Sequence, residues 1–173
     1  MTEFRISSAT STKWTNDYLA EKMGDLPISV AVTPNGWGKR HADAVTQHPD
    51  GRLYFAEPLI EKMTMKSFLG KLSEDTVPKM ETVYLQSQNG NLFSNLSFEG
   101  VQDSSEFVPL RKDVPSELKW CSEALDRGID AVNLWIGDGN SVSSIHSDPY
   151  ENIYTVVRGQ KHFTLLPPPT GCI

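Results

Sequence analysis

The chain has 173 residues, of which 38% are apolar and 22% are charged, and its formal net charge is −6. This length suffices for one globular domain, and the mixed composition excludes collagen, coiled coils and extended disorder. The excess of acidic residues argues against a nucleic-acid partner, and no apolar run approaches the roughly 20 residues of a membrane-spanning helix.

The first residues, 1–13, are rich in Ser and Thr and predict a loose tail. They contain no apolar segment of the kind found in secretory signals. The only cysteines are Cys121 and Cys172, too few for a disulfide framework. These features together predict a cytoplasmic or nuclear protein, or one found in both compartments.

A helix and a strand are predicted next. Thr15 is placed to cap a helix that ends at Gly24, since the intervening apolar residues follow helical spacing. Residues 27–33 alternate in the manner of a strand, and a Pro-Asn-Gly turn follows. Residues 35–51 combine Gly, Pro and charged side chains and predict an exposed loop.

The middle of the chain predicts two further strands and two further helices. Residues 52–56 favour a short strand, and Thr64 is placed to open a second helix with one apolar face. Residues 82–88 favour another strand, whereas residues 89–109 are polar and predict a loop. A short helix is predicted over residues 116–126.

The C-terminal third shows the most regular strand pattern. Four strands are predicted, over residues 131–137, 141–148, 152–157 and 161–166, and Asp-Gly-Asn at 138–140 is a strong turn signal. Short strands joined by tight turns indicate an antiparallel barrel or sandwich. The preceding helices would then cover one side, which gives a mainly β or α+β fold.

His146 and Asp148 form the central chemical motif. Residues i and i+2 of a strand face the same side, so an imidazole and a carboxylate would point to one place. This supplies two-thirds of the 2-His-1-carboxylate set that holds non-haem Fe(II) in oxygenases. The alternative is a surface histidine that happens to lie beside an aspartate.

Lys161 shares a predicted strand face with Phe163 and Leu165. A lysine on an inward, apolar face is costly unless it meets an anion, and a co-substrate carboxylate is such an anion. The alternative is an edge lysine whose stem covers apolar surface while its ammonium stays in water.

Several stretches of this sequence resemble the JmjC family of Fe(II)- and 2-oxoglutarate-dependent oxygenases. They read AVNLWIG at 131–137, SSIHSDPYENIY at 143–154, VRGQKHF at 157–163 and LPP at 166–168. The likeness extends from about Trp14 to Pro168. It implies one incomplete cupin-like domain over 14–173, with its metal-site core at 131–167.

The resemblance implies a fold, a reaction and a set of roles. The fold would be a partial double-stranded β-helix, or jelly roll, flanked by N-terminal helices. The reaction would be protein hydroxylation, with lysine side chains as the favoured substrate, a GTP-binding protein as a candidate partner, and a homodimer as one assembly. Fe(II) would be held by His146 and Asp148. The 2-oxoglutarate pocket would be lined by Lys161, Ser143, Tyr84 and Asn152.

The sequence departs from the family at the third metal ligand, a late histidine. Among the other histidines, His162 is expected to face away from Lys161, and His41 and His48 fall in the predicted loop. The chain therefore resembles a family member shortened at both ends, with marginal stability expected. The alternative function is a catalytically silent module that binds a partner. A cupin with another metal is less consistent with Lys161.

Overall fold

The computed structural model of the chain describes most of its length. The described residues are 13–34, 40–41, 44–47, 49–56, 58–74, 81–87, 90–94, 105–143, 146–148 and 150–167. Apart from Lys13, the predicted N-terminal tail lies outside them. In chain order the elements are α1 (Asn16–Met23), β1 (Pro27–Pro34), β2 (Arg40–His41), β3 (Ala44–Gln47), β4 (Leu53–Ala56), β5 (Leu59–Thr64), α2 (Met65–Leu72), β6 (Glu81–Tyr84), β7 (Phe93–Ser94), a 3₁₀ helix (Val108–Asp113), α3 (Lys119–Leu125), β8 (Ala131–Val132) and β9 (Ser141–Val142).

The first two helices begin at the threonines that the sequence predicts. Thr15 Oγ1 accepts a hydrogen bond from the Tyr18 amide at 3.1 Å, which satisfies one of the free donors of the first turn. The chain leaves α1 at Gly24, whose φ of 54° favours glycine. Thr64 caps α2 in the same way, through the amide of Ser67 at 3.2 Å. Among the described residues no helix has the length and apolar character to cross a membrane.

A three-stranded antiparallel sheet forms the centre, with β1 between β5 and β6. Alternate residues of β1 (Ile28, Val30 and Val32) are at most 2% exposed because this face of the strand lies against the helices. Their main neighbours are the buried side chains Trp14, Leu19, Met23, Met65, Phe68, Phe107 and Leu110. Each large side chain fully buried here stabilises the fold by roughly 1.5–3 kcal/mol.

The C-terminal part of the described chain joins this sheet beside β6. Leu85 and Ile136 exchange backbone hydrogen bonds of 2.9 and 3.0 Å. Strand β8 pairs with β7, and β9 pairs in parallel with β2. Residues 131–136 are thereby held next to Tyr84, which ends β6 and is 6% exposed.

Several strand predictions were wrong. The predicted loop over 35–51 contains β2 and β3, and the predicted loop over 89–109 contains β7 and the first residues of the 3₁₀ helix. Among the described residues, the strand predicted over 141–148 is formed at Ser141–Val142, and the segments 152–157 and 161–166, which were predicted as strands, are irregular. Strand β5 was not predicted at all.

A missing partner explains the C-terminal errors. Alternation makes a segment suitable for a strand, but a strand forms only where a neighbour satisfies its backbone hydrogen bonds. Within the described residues no strand pairs with 150–167. The fold that results is mixed α+β, with a small antiparallel sheet and a few short helices.

Candidate functional site

Lys161 and Tyr84, 77 residues apart in sequence, meet at the end of β6. Lys161 Nζ donates a hydrogen bond of 3.2 Å to the Tyr84 hydroxyl and lies 5.4 Å from the centre of its ring. No ion pair joins this half-buried lysine to a carboxylate in the described part of the chain. An ammonium group carries three donors, so the arrangement leaves capacity for an anion.

An aromatic cluster borders this pair. The ring of Tyr154 stacks on Trp135, with centroids 5.5 Å apart and planes 7° from parallel, and meets Phe163 edge to face at 4.9 Å. Burial raises the pKa of Tyr154, nearby Tyr84 raises it further, and the positive charge of Lys161 partly opposes both. Tyr154 therefore lies near both Tyr84 and Lys161.

His146 and Asp148 lie close together, as their spacing predicts. His146 Nε2 is 3.8 Å from Asp148 Oδ1, and the two side chains are 60% and 56% exposed. At this exposure their mutual attraction is weak. Asn152 adds a hydrogen bond of 3.3 Å from its Nδ2 to Asp148 Oδ2, which orients the carboxylate.

The side chains of His146 and Asp148 are of the chemical types that bind Fe(II). Imidazole and carboxylate are the ligands that non-haem iron takes, and adjacent ligands of an octahedral ion lie about 3 Å apart. A separation of 3.8 Å is within reach of that value by rotation of exposed side chains. Within the described residues, no three His, Cys, Asp or Glu side chains converge on one point.

The remaining predicted residues are placed as follows. Ser143 is exposed just after β9, and no hydrogen bond within the described residues joins it to Lys161 or Asp148. His162 is exposed, whereas its neighbour Lys161 is half-buried. His48 lies outside the described residues.

Sequence reasoning missed Tyr154 as a site residue. The available signal was its position two residues after Asn152 in a segment that alternates, which favours the same face. The structure places Trp135 half-buried against Tyr154. Trp135 and Tyr154 lie in separate segments of the chain, and the periodicity of one segment does not predict which residues of another it contacts.

Comparison with known proteins gives a family and several relatives. A profile of the cupin-like domain matches residues 2–172. JmjC domain-containing protein E of Dictyostelium discoideum is 34% identical over 160 residues, which are 90% of this chain and 42% of that protein. Lysine-specific demethylase JMJ32 of Arabidopsis thaliana is 38% identical over 151 residues, 87% of this chain and 39% of that protein.

A human relative is named for two other activities. The bifunctional peptidase and (3S)-lysyl hydroxylase JMJD7 of Homo sapiens is 36% identical over 156 residues, 90% of this chain and 43% of that protein. The chain thus spans about two fifths of the length of the curated relatives it matches.

Proposed function

The chain belongs to the cupin-like JmjC domain family, and on this premise we propose that it is a Fe(II)- and 2-oxoglutarate-dependent protein hydroxylase acting on lysine side chains. The observation that carries the proposal is the half-buried Lys161 ammonium on the Tyr84 hydroxyl. Since no carboxylate of the described residues pairs with this cation, a dicarboxylate co-substrate would supply its anion.

In this proposal Lys161 and Tyr84 bind the distal carboxylate of 2-oxoglutarate. Lys161 contributes the charge and Tyr84 donates its hydroxyl hydrogen, while the exposed hydroxyl of Ser143 is a further donor to the same carboxylate. The stacked rings of Trp135 and Tyr154 lie beside this pair and make part of its surroundings apolar, which strengthens the electrostatic attraction between lysine and carboxylate.

His146 and Asp148 would hold the iron, and Asn152 would keep the aspartate oriented toward it. When bound, the iron supplies activation of dioxygen coupled to decarboxylation of 2-oxoglutarate, chemistry that amino-acid side chains do not provide. The protein's own part is to fix the co-substrate and to orient the ligands.

Lysine as the substrate residue rests on the relatives. One is named for lysyl hydroxylation and one for lysine-specific demethylation, and a net charge of −6 suits a basic target. A GTP-binding protein as the target and a homodimer as the assembly remain predictions of the resemblance. The same holds for a partial jelly-roll arrangement of the metal-site core.

The exposure of the metal donors favours one other candidate function. The described residues offer two protein ligands, both more than half exposed, and affinity for iron falls as protein ligands are lost. A JmjC-like module that binds a protein partner without turnover would have this appearance.

Calorimetric titration of 2-oxoglutarate in the presence of Mn(II) tests the co-substrate site. Lys161→Ala should weaken binding about 10–150-fold, since a hydrogen bond to a charged group contributes roughly 1.5–3 kcal/mol. The exposed Lys112→Ala is the control and should bind as the unsubstituted chain does. Equal affinity in both variants would contradict the assignment of Lys161.

A thermal melt with and without Mn(II) tests the metal site. Saturation at a hundred times Kd should stabilise the chain by about 2.7 kcal/mol, or about 5–11 °C for this size. His146→Ala should abolish the shift and the exposed His162→Ala should retain it. Succinate formation from 2-oxoglutarate with Fe(II) and dioxygen then separates the enzyme from the silent module.

A further inference from the structure

A tight turn after Ile136 packs directly on the Tyr84 ring. A Cβ atom on Gly137 would lie 2.7 Å from Tyr84 Cδ2, and 2.5 Å and 2.9 Å from Oγ and Cβ of Ser141. Carbon atoms of this kind do not approach within 3.0 Å, so any side chain at 137 forces the ring or the turn to move. This is a close approach of backbone to ring that only glycine permits.

Hydrogen bonds on both sides of the turn restrain its backbone from moving away from the ring. On one side Ile136 is bound to Leu85 by two backbone hydrogen bonds. On the other side the Ser141 amide donates to the Asp138 carbonyl at 3.1 Å, and the Asp138 amide donates to Ser141 Oγ at 3.3 Å. A substituent at 137 is therefore expected to displace the Tyr84 ring at least as much as the turn.

Any displacement of this ring is transmitted to Lys161. The Tyr84 ring is 6% exposed and its hydroxyl accepts the 3.2 Å hydrogen bond from Lys161 Nζ. When the ring rotates away from the turn, its hydroxyl moves further than Cδ2 does, because the hydroxyl oxygen is the side-chain atom most distant from the backbone. The fixed turn thus sets where the phenol and the ammonium present their donors.

We propose that Gly137 is a positioning residue for the anion subsite formed by Tyr84 and Lys161. This inference rests on the proposed function, in which that subsite takes the distal carboxylate of 2-oxoglutarate. Gly137 touches no ligand. It acts by letting the 137–141 turn press on the ring that orients both donors.

The turn provides its own matched control. Gly139 lies two residues further along, and a Cβ there meets nothing within 4 Å. In calorimetric titration of 2-oxoglutarate with Mn(II), Gly137→Ala should weaken binding at least about tenfold, the loss expected when one charge-assisted hydrogen bond is misplaced. Gly139→Ala should bind as the unsubstituted chain does.

Two double variants separate a displaced phenol from a general loss of stability in Gly137→Ala. Gly137→Ala with Ser141→Gly removes the two serine contacts and keeps the contact with Tyr84 Cδ2. Since Ser141→Gly also removes the Oγ hydrogen bond to the turn, the double variant is compared with Ser141→Gly alone and should bind more weakly than it does. In a Tyr84→Phe background the phenol is absent, and Gly137→Ala should then have little added effect. A purely structural role would give the same loss in both backgrounds.

The outcomes separate the two proposals. If the unsubstituted chain fails to bind 2-oxoglutarate, that result contradicts the proposed function and also the inference about Gly137, which rests on it. If it binds and Gly137→Ala matches Gly139→Ala, or the losses add fully with Tyr84→Phe, only the inference about Gly137 is overturned. A selective loss that vanishes in the Tyr84→Phe background supports it.

Discussion

Asn91 offers a sharp test of how residues 131–136 are fixed beside Tyr84. Its side chain is buried, at 1% exposure, and lies between two backbone segments. Its Nδ2 donates to the carbonyls of Ser87 at 2.7 Å and Leu134 at 2.9 Å, and its Oδ1 accepts from the Leu134 amide at 2.7 Å. One side chain thus replaces a stretch of strand pairing.

Replacing Asn91 with leucine keeps a similar volume and removes these bonds. Three backbone groups lose their partner, and each buried unsatisfied group costs about 1–3 kcal/mol. Allowing for some relaxation, we expect the free energy of unfolding to fall by about 3–5 kcal/mol. For a chain of this size that corresponds to a Tm lower by about 6–20 °C.

Urea denaturation followed by circular dichroism measures the effect. The midpoint should fall while the slope with denaturant stays constant, since the surface exposed on unfolding is unchanged. The control is Asn140→Leu. Among the described residues, the Asn140 side-chain amide makes one exposed hydrogen bond, of 3.3 Å to Asp138, so this change should alter stability by less than about 0.5 kcal/mol. A loss below about 1 kcal/mol in Asn91→Leu would refute the reasoning, because the buried groups would then have found other partners.

Three further predictions follow from the ion pairs and from exposure. Burial alone would raise the pKa of Glu106, but hydrogen bonds led by that from Lys62 outweigh it and hold the pKa below its ordinary value of 4.5. The stability from this carboxylate is complete above pH 4.5 and is lost as pH falls through the lower folded value, so Glu106→Gln should flatten the acid limb of urea midpoints measured against pH. Asp113 accepts from Trp14 Nε1 at 3.0 Å, and Asp113→Asn should lower the free energy of unfolding by about 1–2 kcal/mol in urea melts. Leu165 is 85% exposed, so Leu165→Gln should change that free energy by less than about 0.5 kcal/mol, and a larger loss would indicate a buried role.

Local signals in the sequence predicted the helices well and the strands unevenly. The caps at Thr15 and Thr64 are formed within one turn, so their residues suffice to specify them. Strand β5 escaped prediction because Leu59 and Ile60 are exposed and the segment does not alternate cleanly. The irregular segment 150–167 alternates well and still forms no strand, because strand formation depends on a partner elsewhere in the chain.

The same contrast between local and long-range features applies to the candidate site. The closeness of His146 and Asp148 was predicted from the same-face rule of a strand, and the structure has them 3.8 Å apart although these residues form no strand. Tyr84 and Lys161 are far apart in sequence, so their pairing came only from the family resemblance. Gly137 was read as the end of a strand, since a close approach to another segment leaves no mark in local sequence. The roles of these residues in binding stay predictions.

The two halves of the site differ in how much order they have before any ligand arrives. The Tyr84 half lies on the central sheet, is 6% exposed and is fixed by the turn at Gly137. The His146 and Asp148 half lies in an irregular segment with both side chains more than half exposed. Ordering exposed side chains costs about 0.5–1.5 kcal/mol each. This cost lowers the affinity for the metal rather than the affinity for the dicarboxylate. In the arrangement that the family resemblance implies, a dicarboxylate held at Lys161 would offer its other end as ligand atoms for the ion at His146 and Asp148. We therefore expect 2-oxoglutarate to raise the affinity for Mn(II), and linkage requires Mn(II) to raise the affinity for 2-oxoglutarate by the same factor.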